Sequence, residues 1–421
     1  MTDFFDALET RDPAAREAAL MAALPRVVAQ AQAASPAVAE LLAGVDARDV
    51  ASRAALARLP VLRKSELLQR QRERAQGDPF GGFATIGWRG LQRSAGARRV
   101  FQSPGPIYEP EGASPDWWRM ARALFAAGFR DGDLVHNSFS YHLTPAGSMM
   151  ETGAHALGCT VFPGGVGNTE LQLQALAELG AQGYVGTPSF LKILLERASE
   201  QGVALPQLTK ALVSGEACPP SLQAWFAARG VQAFQCYATA DLGLIAYETA
   251  ARAGLVVDEG VIVEIVQPGS GEPVAEGEIG EVVVTTLNPD YPLIRFGTGD
   301  LSAVLPGPCP SGRSNVRLRG WLGRADQATK VRGMFVHPAQ LAQLAQRHPG
   351  LGRLRLVVGG EPAAETLLLR AETREPAADG FAQQLAASVR EVTKLRAEVE
   401  LCAPGSLPDD GKVIEDGRRY V

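Results

Sequence analysis

Between residues 116 and 250, short apolar runs alternate with segments whose apolar positions recur every three or four residues. The pattern predicts helices over residues 117–128, 147–157, 168–179 and 188–201. It predicts strands over residues 133–138, 160–162, 183–186 and 210–214. Short apolar strands, each followed by a helix, imply a doubly wound α/β sheet, and ligands of such sheets gather at the carboxyl ends of the strands. From 255 to 305 the period falls to two, as in Gly260–Val266 and Glu281–Leu287, with turn residues Pro268–Gly271 between them. That change predicts a β subdomain beside the sheet. Residues 13–75 are rich in Ala, Leu, Arg and Glu and read as helices broken at Pro25, Pro36 and Pro60. The stretch Leu59–Glu66 reads as a turn into a new helix near Ser65. Residues 76–115, rich in Gly and Pro, read as irregular. Beyond about 327, strands at 354–358 and 366–369 and a helix at 381–395 predict a small further domain.

Composition narrows the class. The chain has 421 residues, 46% of them hydrophobic and 21% charged, so it can bury more than one core. A net charge of −5 gives no field that would favour nucleic acid. No apolar run is long enough for a bilayer span, the first residues carry no signal-peptide pattern, and five irregularly spaced cysteines read as free thiols. The expectation is a cytoplasmic protein without nucleic-acid or membrane partners.

Candidate chemistry concentrates in a few loops. Tyr291–Asp300 follows the β-branched run Glu281–Leu287, so a strand should deliver a short loop ending in one carboxylate. Gly297 and Gly299 let the backbone bend around a ligand, and Asp300 suits a ribose diol. In Tyr237-Ala238-Thr239-Ala240-Asp241, an aromatic ring beside small residues makes a shelf for a purine, and Asp241 offers oxygen to Mg2+. The same residues also read as an ordinary loop. Ser214-Gly215-Glu216 ends a predicted strand before Pro219-Pro220, which equally describes a plain strand-to-helix connection. Tyr141, His142, Met149 and Met150 read as pocket or as core.

Taken in order, Tyr237–Asp241, Tyr291–Asp300, Gly323-Arg324-Ala325-Asp326 and Gly411-Lys412 resemble the motif set of the adenylate-forming ligases, specifically the phenylacetate–CoA ligase branch. The resemblance covers nearly the whole chain. It implies an adenylation domain over 1–325 and a small mobile α+β domain over 326–421. It places adenine against Ser214, Gly215 and Glu216, with Tyr237 and Ala238 beside it. Asp300 would take the ribose, Arg324 the ribose or phosphate, and Asp241 the Mg2+. Asp326 would be the hinge, Lys412 the catalytic cation, and Tyr141, His142, Thr239 and Ala240 the acyl pocket. The implied activity joins a carboxylic acid, of aromatic type, to coenzyme A through an acyl-adenylate, with ATP consumed and AMP and pyrophosphate released. An acceptor other than CoA is a second reading, and a non-catalytic binder of nucleotide or acyl-CoA is a third. Relatives are commonly homodimers.

The chain departs from that pattern in three places. Ala238 replaces the usual glycine and Asp241 the usual glutamate. The phosphate loop is degenerate: Val100–Glu111 keeps Ser103 and Gly105 but has no lysine, three prolines that remove amide donors, and Glu109 and Glu111 as added negative charge. The zinc ligands of some relatives are reduced to Cys309, and one thiol makes no tetrahedral site, so no zinc is expected.

Overall fold

Neighbouring residues on each parallel strand point into different cores, because successive side chains on a strand face opposite ways. Tyr184, Ala211, Val213 and Ala233 enter one apolar cluster, while Val185, Leu212 and Phe234 enter the other. The computed structural model describes residues 3–74, 76–91, 96–325, 329–332, 334–336, 338–361, 364–373, 379–408 and 412–418. The chain divides into two compact units, Met1–Leu322 and Gly323–Val421.

In the first unit, strands Thr160–Pro163, Leu134–Asn137, Gly183–Gly186, Lys210–Val213 and Gln232–Thr239 lie side by side and parallel. Helices Ala146–Ala156, Thr169–Leu179, Pro188–Gln201 and Pro220–Ala227 make the crossovers. In chain order these parallel strands run 2-1-3-4-5, a doubly wound order whose switch point lies between Asn137 and Gly186. The sheet then turns antiparallel through Gly243–Glu248 and Leu255–Val257. A second sheet orders Leu62–Arg63, Phe296–Ser302, Gly280–Thr286 and Val261–Val266, which is the expected β subdomain. Arg295 ties this sheet to the N-terminal helices. Its buried guanidinium meets Glu264 at 3.0 Å and donates to the carbonyls of Ala57 and Gly271, each at 2.7 Å.

Four local expectations need correction. Helix Pro13–Ala34 runs through Pro25 without a break, since Leu20, Leu24, Val28 and Ala31 keep one buried stripe on both sides of it. That burial outweighs the one backbone hydrogen bond the proline forfeits. The helix expected from Trp117 begins at Met120, after Asp116 and Arg119 at positive φ, and Asp116 Oδ2 accepts from the Ala121 amide at 3.1 Å. Residues 76–115 are not irregular throughout: Arg99–Ser103 and Ile107–Glu111 form an antiparallel hairpin. Asp300 does not end a loop. It lies within the Phe296–Ser302 strand, which is bulged: Val283 pairs with Gly297 and Glu281 with Leu301, and Gly299 has φ +74°.

The second unit has its own core. Strands Glu398–Cys402, Ala364–Thr373, Leu351–Glu361 and Ile414–Asp416 form one sheet. Leu344, Leu356, Leu369, Leu385, Val389 and Ile414 pack together in this unit.

Candidate active site

The bulge determines where Asp300 points. Between the pairs Val283–Gly297 and Glu281–Leu301 its strand carries two extra residues, which bend it and redirect the side chains there. Tyr237 Oη donates to Asp300 Oδ2 at 2.8 Å and Trp321 Nε1 donates to Oδ1 at 3.1 Å, while the Asp300 amide donates to Thr298 Oγ1 at 3.1 Å. The carboxylate is buried, in a small recess lined also by Val282, Leu318 and Gly320. Tyr237 lies near the end of its strand, two residues beyond Gln235, the last to pair with the neighbouring parallel strand at Val213. The aromatic shelf and the bulged carboxylate therefore meet at the carboxyl rim.

The same rim carries the other first-unit candidates. Ser214 Oγ donates to the Cys236 carbonyl at 2.8 Å, tying its turn to the Tyr237 strand. Gly215 follows at φ +81°, a backbone state that glycine takes without strain. Glu216 is half-buried and accepts from the Ser189 amide at 3.4 Å. Ala238, Thr239 and Ala240 are half-buried, and Thr239 Oγ1 accepts from the Leu242 amide at 3.1 Å, which closes the turn around Asp241. Tyr141 Oη lies between Asn137 Nδ2 at 2.7 Å and Glu151 at 2.8 Å. Burial and the Glu151 carboxylate push its hydroxyl pKa up. His142 is exposed, and Met149 and Met150 belong to the core.

Lys64 and Trp321, both important to this geometry, have no signal in the motifs. Lys64 Nζ lies 3.1 Å from Asp241 Oδ2. Trp321 holds Asp300. Glu109 accepts from both the amide and the hydroxyl of Ser103. Burial, and then the charge of Asp241, push the Glu109 pKa up to about 8. The added negative charge expected from the hairpin therefore needs correction. Burial of Glu109 disfavours its ionised form. Glu111 is buried against Arg99 at 2.9 Å, with Ser148 Oγ at 2.7 Å and Trp118 Nε1 at 3.1 Å.

Arg324 and Lys412 belong to the second unit. Arg324 is half-buried. Lys412 is exposed, and its carbonyl accepts from Arg355 Nη2 at 3.1 Å. Asp326 lies outside the described residues. Cys309 is buried with its Sγ 3.0 Å from Ser311 Oγ.

A family profile for AMP-binding enzymes matches residues 119–288. Phenylacetate-coenzyme A ligase of Aromatoleum evansii is 30% identical over 386 residues, which is 86% of this chain and 84% of the relative. The chain belongs to the phenylacetate–coenzyme A ligase family. The phenylacetate-coenzyme A ligase of Thermus thermophilus is also 30% identical, over 84% of this chain and 80% of its own. The crystal structure of 2-hydroxyisobutyryl-CoA ligase with 2-HIB-AMP and CoA superposes with a TM-score of 0.82 at 26% identity, covering 100% of this chain and 93% of that one. As a member of this family, the protein is an ATP-dependent acid–CoA ligase that works through an acyl-adenylate. ATP or AMP, CoA and a carboxylic acid are its ligands. No described helix is long and apolar enough to cross a membrane.

Proposed function

We propose that the Met1–Leu322 unit binds an acyl-adenylate of an aromatic acid and that the second unit supplies Lys412 to the reaction. The observation that carries this reading is the buried Asp300 carboxylate on its bulged strand, oriented by Tyr237 and Trp321 at the sheet's carboxyl rim. Asp300 would accept the ribose hydroxyls, the Ser214-Gly215-Glu216 turn and Tyr237 would face adenine, and Arg324 would reach ribose or phosphate. Tyr141, His142, Thr239 and Ala240 would bound the acyl group. Lys412 would offset charge developing at the carboxylate and α-phosphate, and Asp326 would be the hinge between the two half-reactions. The protein is proposed to be cytoplasmic and homodimeric.

Asp241 fits a magnesium ligand. Its Oδ1 is buried and has no hydrogen-bond partner among the described residues, and a hard cation favours such an oxygen. Mg2+ held there would offset phosphate charge, while Lys64 fixes the other oxygen. The Ser103–Ile107 turn is proposed to be what remains of the phosphate loop.

The test is calorimetric titration with AMP and MgATP, followed by a carboxylic-acid screen with CoA read by product mass spectrometry. Arylacetic and related aromatic acids are expected to yield acyl-CoA with AMP and pyrophosphate. Products only from small aliphatic acids would overturn the aromatic assignment, and acyl transfer only to amines would overturn CoA as acceptor.

A further inference from the structure

The hairpin cannot grip a triphosphate by itself. From Gln102 to Glu111 it has no cationic side chain, and Pro104, Pro106 and Pro110 have no amide hydrogen. The amide and hydroxyl of Ser103 both go to Glu109. The countercharge for a triphosphate must then come from another element.

Helix Lys64–Arg74 provides one, because its first residue reaches the same place. Lys64 Nζ is 3.1 Å from Asp241 Oδ2, and its charge is one of the influences on Glu109, across the hairpin from Ser103. The two partners differ in exposure: the Asp241 side chain is 1% exposed and that of Lys64 is 39%. The carboxylate is thus enclosed while the ammonium keeps a side toward solvent. Asp241 is four residues from Tyr237, whose hydroxyl holds Asp300. One turn therefore links the ribose acceptor to this ammonium. The cluster also has unused polar capacity. Asp241 Oδ1 and Tyr291 Oη are both buried without a hydrogen-bond partner among the described residues.

We propose that Lys64 receives the β- and γ-phosphates of ATP, replacing the cation that the hairpin's turn lacks. This assignment rests on the nucleotide lying at Asp300. A compact ammonium with three donors suits this role, and a neutral side chain of similar length does not.

The full-length protein is titrated with MgATP, magnesium pyrophosphate and AMP, as wild type, Lys64→Gln and Lys64→Arg. Lys64→Gln is expected to weaken MgATP and pyrophosphate by about 10- to 100-fold, the worth of a charged hydrogen bond, and to leave AMP within about twofold. Lys64→Arg is expected to recover most of the loss. Unchanged MgATP affinity, or an equal loss of AMP, overturns the proposal. Because Lys64→Gln leaves Asp241 without its cation and can unfold the protein, a second measurement uses the wild type. Lysine acetylation with acetic anhydride is followed by mass spectrometry of the Lys64 peptide. Protection by MgATP and pyrophosphate but not by AMP supports the proposal, and equal or absent protection overturns it. Asp300→Ala separates the two claims, since AMP binding that survives that change removes the site reading whatever Lys64 does.

Discussion

Asp300 is where residue-level geometry matters most. Replacing it with alanine removes the charged acceptor and leaves Tyr237 Oη and Trp321 Nε1 without the carboxylate they now share. AMP affinity is expected to fall about 10- to 100-fold, measured by calorimetry, with Asp300→Asn intermediate. Glu109 makes a prediction about pH. Its ordinary pKa is 4.5 and in the fold it is pushed up to about 8, chiefly by burial. Between these values the folded protein keeps a proton that the unfolded chain has released. The contribution to stability is full below about pH 4.5 and is lost as pH rises toward 8, by at most about 1.4 kcal/mol per pH unit. Glu109→Gln should flatten that part of the curve in denaturant unfolding at pH 5, 6.5 and 8. Parallel curves for variant and wild type would mean that Glu109 is ionised. Tyr237, Asp241 and Asp300 stand out in the sequence because each sits in a short contiguous string whose residue types suit nucleotide chemistry, and the structure joins Tyr237 to Asp300. Lys64 does not, because its partner is 177 residues away and no spacing rule connects them. Glu109 was visible as a charge, but only its burial shows that the charge is suppressed.

Among elements, the parallel strands and their crossover helices were the most legible, since burial on both faces leaves short apolar runs between amphipathic helices. The hairpin at 99–111 was hidden by its composition. Proline and glycine normally signal loops, yet Pro104 and Gly105 lie in the turn and the arms pair from Arg99↔Glu111 to Ser103↔Ile107. Pro25 misled in the opposite sense, because tertiary burial of one helix face overrode a local breaker. The turn after Tyr237 gives the element-scale prediction. Gly243 begins the next strand at φ +72°, and a Cβ there would lie 2.7 Å from the Trp118 carbonyl oxygen and 3.2 Å from its Cα. Backbone cannot swing aside as a side-chain tip can. Gly243→Ala is expected to cost about 1–3 kcal/mol from the close contact and the left-handed conformation. It should also weaken MgATP binding, since the displaced turn carries Asp241. A denaturation midpoint equal to wild type would show that the turn has room to adjust.

At the scale of the whole molecule, each unit has a separate apolar core, and the proposed chemistry is divided between them. Asp300, Tyr237 and Asp241 belong to Met1–Leu322, and Lys412 belongs to Gly323–Val421. The periodicity beyond 327 describes complete strands and a helix with their own apolar faces, and Leu344, Leu356, Leu369 and Leu385 share one core there. It could not assign Lys412 a role, since a Gly-Lys pair near acidic residues is equally a solvated charge. If binding and chemistry are divided in this way, they should separate by mutation. Lys412→Ala removes a cation that acts as charge develops at the reacting phosphate. The rate of acid-dependent exchange of pyrophosphate into ATP should fall about 10²- to 10³-fold, with AMP affinity little changed. A fragment ending at Leu322 should show the same division, folding on its own core and binding AMP without adenylating any acid. The result that would reverse this reading is a Lys412→Ala protein with undiminished exchange. The first unit would then hold all the groups needed for adenylation, and Lys64 would be the cation to test next at the α-phosphate.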